Sequence, residues 1–272
     1  MPELTPEMQE LKSKLKATWM AGDFGQVAKS IEDGAVEFIN RLQISKGARV
    51  LDVACGTGNL AIPAAKAGAL VTGLDFASNL VEQARVRAKT EGLNIQFQEG
   101  DAEAMPYPDG SFDVVVTMFG AMFCPRPEKA ASELIRVTKP GGRMAMANWT
   151  PAGFAGQMFK LSGMYAPPPP GMPAPVLWGD ETVVNERLRD GTRDLKLTKQ
   201  IMIIKYLFGP ADVVEHFIRY FGPTKKAYES LDANGQKAYR DDMVKLWTQY
   251  NRATDGTTRV EGEYLEVIAA RG

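Results

Sequence analysis

The chain has 272 residues, 44% of them hydrophobic and 24% charged, with a net charge of −1. This is the composition of a soluble globular protein, and near-neutral charge with scattered Lys and Arg gives no electrostatic ground for nucleic-acid binding. Two cysteines (Cys55, Cys124) and one histidine (His216) exclude a disulfide scaffold and a Cys- or His-rich metal centre, so no metal is expected. No apolar run approaches the roughly 18 residues of a membrane span. The opening Met1-Pro-Glu-Leu-Thr-Pro-Glu7 holds no apolar signal core, so the expected location is cytoplasmic. Oligomeric state is not readable.

The first predicted helix covers residues 7–20, where Leu11, Leu15 and Trp19 recur at i, i+4, i+8 between lysines. A second covers 26–43, with Val27, Ile31, Ile39 and Leu42 on its apolar side. Trp19 and Phe24 fit ordinary core packing or an aromatic cover over a ligand. Then comes the stretch that organises the chain, Arg49-Val-Leu-Asp-Val-Ala-Cys-Gly-Thr-Gly-Asn-Leu60. Val50, Leu51 and Val53 form a strand, Gly56 and Gly58 permit a tight turn, and a helix follows with Pro63 in its first turn. Such a turn lets backbone approach a ligand at the carboxyl end of a sheet strand. Gly-x-Gly alone is a weak signal, and the third glycine of a dinucleotide fingerprint is replaced by Ala61. Asp52, inside the strand, needs a partner when buried, and a ligand ammonium suits it.

Residues 70–75 form the second strand, closed by Asp75. An acid at this distance from the glycine turn commonly accepts hydrogen bonds from ribose hydroxyls. Ser78 is the expected cap of the next helix, 79–90, which leaves Asp75 for a ligand. A short strand at 95–99 leads to Asp101, facing the same crevice. Phe112–Met118 reads as a fully buried parallel strand, a helix follows at about 127–138, and Arg143–Trp149 is the fifth strand. Strands alternating with helices at this spacing give a doubly wound α/β sheet.

Five stretches now stand in order: Leu51-Asp-Val-Ala-Cys-Gly-Thr-Gly58, Gly73-Leu-Asp75, Gly100-Asp-Ala-Glu-Ala-Met-Pro106, Asp109-Gly-Ser-Phe-Asp113 and Arg136-Val-Thr-Lys-Pro-Gly-Gly142. Over about residues 45–150 the chain resembles the class I S-adenosylmethionine-dependent methyltransferases. The nearest branch is that of the ubiquinone/menaquinone-biosynthesis methyltransferases and their small-molecule relatives. The resemblance implies a Rossmann-like seven-stranded sheet, mostly parallel with an antiparallel last strand, and S-adenosylmethionine as cofactor, leaving as S-adenosylhomocysteine. It places the methionine portion at Asp52, Ala54, Gly56, Thr57 and Gly58, the ribose at Asp75, and the adenine beside Phe76. Asp101 would receive the adenine amino group, with Ala102 offering its N–H, and Met118 and Phe119 would line the substrate side. Lys196–Phe208 and Glu263–Arg271 supply the last two strands, with Glu263, Glu266 and Arg271 as charged edges of an end strand.

The expected organisation is one methyltransferase domain over 1–272: an N-terminal helical cap (1–44), a cofactor core (45–150) and acceptor-binding elements (151–193 and 209–260). The segment after the fifth strand carries Phe154, Met158, Phe159, a run from Pro167 to Pro170, and Trp178. It reads as a helical lid over an apolar acceptor pocket or as a loop packed on the sheet's edge. Helices follow at 211–220, from Gly222, and at about 234–252. His216 fits a general base or a structural histidine, and no catalytic group is identified. Candidate acceptor contacts are Trp19, Phe24, Phe123, Phe154, Trp178 and His216. The expected activity is direct methyl transfer to a small hydrophobic or aromatic acceptor. The alternatives are an inactive S-adenosylmethionine-binding interaction module and a nicotinamide-dependent oxidoreductase, the latter opposed by Asp52 and the missing third glycine.

Overall fold

The computed structural model describes residues 4–272; the first three residues of the expected N-terminal cap lie outside them. In chain order come α1 (Pro6–Met20), α2 (Phe24–Ala28), α3 (Glu32–Leu42), β1 (Arg49–Val53), α4 (Ala61–Lys66), β2 (Leu70–Asp75), α5 (Ser78–Thr90), β3 (Gln96–Glu99), β4 (Phe112–Met118), α6 (Pro127–Val137) and β5 (Thr138–Trp149). The second half adds α7 (Phe154–Tyr165), α8 (Glu181–Leu188), β6 (Thr192–Tyr206), α9 (Pro210–Tyr220), α10 (Gly222–Glu229), α11 (Ala233–Tyr250) and β7 (Thr258–Arg271).

The strands make one seven-stranded sheet of order β3-β2-β1-β4-β5-β7-β6. β1 to β5 run parallel, and β7 is antiparallel to both neighbours, β5 and β6. The antiparallel last strand is therefore present, but it is not an end strand. β7 is inserted between β5 and β6, and β6 forms the edge. The charges read as edge residues accordingly have partners. Glu266, 7% exposed, binds Arg41 of α3 at 2.6 Å. Glu263 accepts from Thr150 at 2.8 Å, and Arg271 donates to the carbonyls of Arg136 and Thr138.

The helix expected over 26–43 is two helices joined by a 3₁₀ turn at Lys29–Ile31. Ile31 leaves helical geometry (φ −122°, ψ 11°), and Ser30 Oγ donates to Val27 O at 2.8 Å. The bend lets Val27 and then Phe38, Ile39 and Leu42 enter the core from different directions. Ser78 is not the cap of α5; Ala77 occupies that position, and its N–H goes to Asp75. Among the described residues no helix is long and apolar enough to cross a membrane.

The N-terminal helices dock on the C-terminal ones by backbone contact. A Cβ on Gly22 would stand 2.1 Å from Tyr220 O, and one on Gly222 would stand 2.1 Å from Thr18 O. Replacing Gly222 by Ala must push α1 away from the α9–α10 junction. Overpacking of this kind costs about 1–3 kcal/mol. We expect a thermal midpoint lower by roughly 3–10 °C in a calorimetric melt; an unchanged midpoint would show that the junction yields freely.

Candidate functional site

The parallel strands β1, β2 and β4 end on one side of the sheet, and the chain leaves β1 and β4 in constrained turns. Ala54 (φ 55°) and Phe119 (φ 54°) are non-glycine residues in the left-handed region, and Gly56 (φ 53°) adopts it too. Conformations of this kind cost a folded chain energy and cluster where the backbone must present itself to a ligand. They open a cavity of about 400 Å³ walled by Ala54, Gly56, Asp75, Phe76, Asp101, Ala102, Met118 and Phe119, and by α1 through Lys12, Leu15, Lys16 and Trp19.

The polar end is built by carboxylates. Asp75, 6% exposed, accepts the N–H of Gly56 and of Ala77, each at 2.8 Å. Each oxygen keeps a further lone pair for the cavity. Burial holds its carboxyl above the ordinary carboxylate range, against the lowering effect of these N–H groups. Asp101 accepts the N–H of Glu103 at 2.8 Å and pairs with Lys12, which also reaches Glu103 at 2.5 Å; Lys16 pairs with Glu99. Three ion pairs thus hold α1 over the carboxyl end of β3 and the turn that follows it. Both lysines escaped the sequence reading, although their i, i+4 spacing puts them on one helix face.

Asp52 does not reach the cavity wall. It is 2% exposed and accepts the N–H of Ala61 at 2.9 Å, so it secures the start of α4 beneath the turn. Burial pushes its carboxyl well above the usual range. Thr57 and Gly58 also lie behind the wall. Thr57 O takes Arg87 Nη1 at 2.9 Å, and the same guanidinium reaches Asn59 Oδ1 at 2.8 Å and pairs with Glu32 of α3. Arg87 is thereby the brace between the turn, α5 and the N-terminal helices.

A second cavity of about 60 Å³ adjoins the first, and Trp19, Phe24, Phe119 and Phe123 wall both. Its remaining wall comes from distant segments, including Trp149, Phe154, Met158, Phe217, Phe221 and Trp247. Trp19 meets Phe24, Phe123 and Phe221 edge-on, with centroids at 5.8, 4.9 and 5.7 Å. Trp19 and Phe24 are therefore core packing and cavity wall at once. Phe154 lines this inner cavity. Trp178 and His216 line neither. Trp178 is 1% exposed under the Arg187 guanidinium, and His216 lies among Tyr206, Phe208 and Tyr220. Burial lowers the His216 pKa.

A family model described as a methyltransferase domain matches residues 50–142, the span that carries the turn, Asp75 and Asp101. The chain is 45% identical over 105 residues to a demethylmenaquinone methyltransferase of Thermus thermophilus, covering 38% of this chain and 48% of that one. The chain belongs to the class I S-adenosylmethionine-dependent methyltransferases. Along its whole length this methyltransferase chain is 36% identical over 270 residues to an uncharacterized protein of Mycobacterium tuberculosis, covering 97% of each. Among solved structures, a putative methyltransferase of Bacillus halodurans superposes with a TM-score of 0.59 at 18% identity, over 86% of this chain and 97% of that one. The cofactor of such a methyltransferase is S-adenosylmethionine, and the outer cavity fits it. Its volume is in the range of small-molecule sites. Gly56 holds φ 53°, a conformation that side chains rarely adopt, and a Cβ there would point at the Phe24 ring across the cavity wall, at 3.6 Å.

Arg87 lines neither of these two cavities yet holds the turn that walls the first. Replacing it by Gln removes the charge-assisted bonds to Thr57 O and Asn59. We expect S-adenosylmethionine affinity to fall about tenfold in calorimetric titration, equivalent to about 1.4 kcal/mol, with the fold retained by circular dichroism. Wild-type affinity in that variant would show that the turn stands without the brace.

Proposed function

We propose that the chain transfers the methyl group of S-adenosylmethionine by direct displacement to a small apolar acceptor seated in the inner cavity. The observation that carries this reading is the junction of the two cavities. A carboxylate-lined outer chamber meets an aromatic inner one across Phe119 and Phe123. S-adenosylmethionine supplies an activated methyl group on a positively charged sulfur. The protein must then align the reactants and keep water out, and positioning alone supplies on the order of 7–11 kcal/mol.

Asp75 is assigned to the ribose hydroxyls, for which it has free lone pairs, and Phe76 to the adenine face. Asp101 takes the adenine amino group in competition with Lys12, beside the N–H of Ala102. The backbone from Ala54 to Gly56 takes the methionine portion. Asp52, Thr57 and Gly58 serve it indirectly, by fixing the turn. Met118 and Phe119 stand on the acceptor side. Residues 151–193 and 209–260 are read as the acceptor-binding elements and 1–44 as a helical cap, around the core of 45–150.

The test is calorimetric titration with S-adenosylmethionine, S-adenosylhomocysteine and NAD, followed by an acceptor screen. Micromolar binding of the first two alone, with turnover, supports the reading. No binding by folded protein overturns it, and binding without turnover of any acceptor leaves an inactive binding module.

A further inference from the structure

The inner cavity has an unusual property for a site that receives a nucleophile: among the described residues, its wall carries no group able to take a proton. Ser30 is its one hydroxyl, and that hydroxyl already donates to Val27 O at 2.8 Å. Trp19, Trp149 and Trp247 bring indole N–H groups, which are donors only, and that of Trp247 is buried with no partner. The charged lining of the outer cavity, Lys12, Lys16, Asp75, Glu99 and Asp101, clusters at the carboxyl ends of β2 and β3 and on α1, and Cys124 lines the same cavity, where burial and the nearby Glu103 and Asp101 carboxylates push its thiol pKa up. The titratable groups on the elements around the inner wall lie behind it, and Asp23 Oδ1, Tyr206 Oη and His216 Nε2 are buried there with no hydrogen-bond partner. Asp23 takes Gln26 Nε2 at 3.2 Å and Lys29 binds Gln26 Oε1 at 3.0 Å. Tyr206 packs against Trp247 and Phe217, and His216 against Tyr206. Tyr250 and Tyr264 pack against Phe154 and Phe119. None of these forms part of the wall.

An apolar cavity also discriminates between types of charge change. An isolated charge transferred into it is strongly disfavoured unless paired. An anionic acceptor finds its pair in the cofactor's sulfonium, and transfer cancels both charges. A neutral amine would instead leave a new cation in a chamber with no carboxylate. We infer that the acceptor is an apolar acid that enters as its own anion: an aryl thiol, an acidic phenol or an enol, in preference to an amine. This rests on the methyltransferase reading above. In the step, a lone pair of the acceptor anion forms the bond to the methyl carbon. The carbon–sulfur bond breaks and its electron pair stays on sulfur. The products are a neutral methylated acceptor and S-adenosylhomocysteine, and no proton passes to the protein.

The experiment uses thiophenol, 4-nitrophenol and benzylamine, matched in ring size, with the full chain. Rates are followed against pH for wild type, His216→Ala and Tyr206→Phe. The expected result is methylation of the thiol and the phenol, each with a pH midpoint at that acceptor's own pKa in all three proteins, and benzylamine slower by about 100-fold or more. A second readout does not involve turnover. With S-adenosylhomocysteine in place, which has no sulfonium charge, the spectrum of bound 4-nitrophenol should shift toward the protonated form. A midpoint shared by both acceptors, loss of turnover in either variant, a preference for benzylamine, or a bound phenolate beside S-adenosylhomocysteine would each overturn the inference. So would S-adenosylmethionine binding without turnover of any probe, which leaves the family reading intact. Failure to bind S-adenosylmethionine overturns the reading beneath it instead.

Discussion

Asp75→Ala should weaken S-adenosylmethionine binding by roughly 100-fold or more, since hydrogen bonds to a charged group contribute about 1.5–3 kcal/mol each and the ribose offers two hydroxyls. The carboxylate is also the anchor of Gly56 N and Ala77 N, so its removal frees two buried donors and loosens the turn. Asp75→Asn separates the effects, because it keeps an acceptor and the side-chain volume while removing the charge. Calorimetry on both variants, with melts to show that they fold, decides the matter. Affinity within about threefold of wild type in the Ala variant would remove Asp75 from the cofactor site.

The same residue sets a pH dependence. Burial holds the Asp75 carboxyl above its ordinary range in the free protein. Ribose hydroxyls donate to the ionised form and favour it, so binding must release a proton wherever Asp75 is still protonated. Affinity therefore rises with pH through the raised value and levels off above it; Asp75→Asn abolishes the slope. For stability of the free protein the sign is opposite. The folded state holds this proton more tightly than the unfolded chain. The Asp75 contribution thus falls as pH rises from the ordinary carboxylate range through the raised value, and Asp52 acts in the same direction.

Trp247→Ala is the larger perturbation of the fold. Trp247 is fully buried in α11, edge-on to Phe154 at 4.5 Å and against Phe217 at 5.2 Å, and it walls the inner cavity. Truncating a buried Trp costs about 3–5 kcal/mol, because the lost contacts are joined by a hole that the neighbours cannot close. The thermal midpoint should fall by roughly 6–20 °C. Acceptor turnover should fall further than cofactor affinity, since the outer cavity does not touch Trp247. Equal losses of both would show that the two chambers are not separately built.

Much of the cofactor side was legible in the residues. The strand, turn and helix from Arg49 to Lys66 and the acid at Asp75 are local patterns. A period of two, a pair of glycines and an acid at a strand end are each completed within a few positions. Asp52 stands behind the cavity wall, where its carboxylate accepts the N–H of Ala61, nine positions on. Ser78 is not the cap because α5 begins at Ser78 itself, which makes Ala77 the flanking residue.

The sequence by itself determined the family and the alternation of strands and helices through the first five strands, because periodicity and motif spacing are written along the chain. Only the tertiary structure decided that β7 enters between β5 and β6 and so buries Glu266 against Arg41. It alone showed that Lys12 and Lys16 hold α1 to Asp101 and Glu99, and that Trp19, Phe119, Phe154 and Trp247 share one cavity. These meetings join residues up to more than 200 positions apart. They are selected by the total apolar surface buried and by the pairing of buried charge over the whole molecule, which no local window contains.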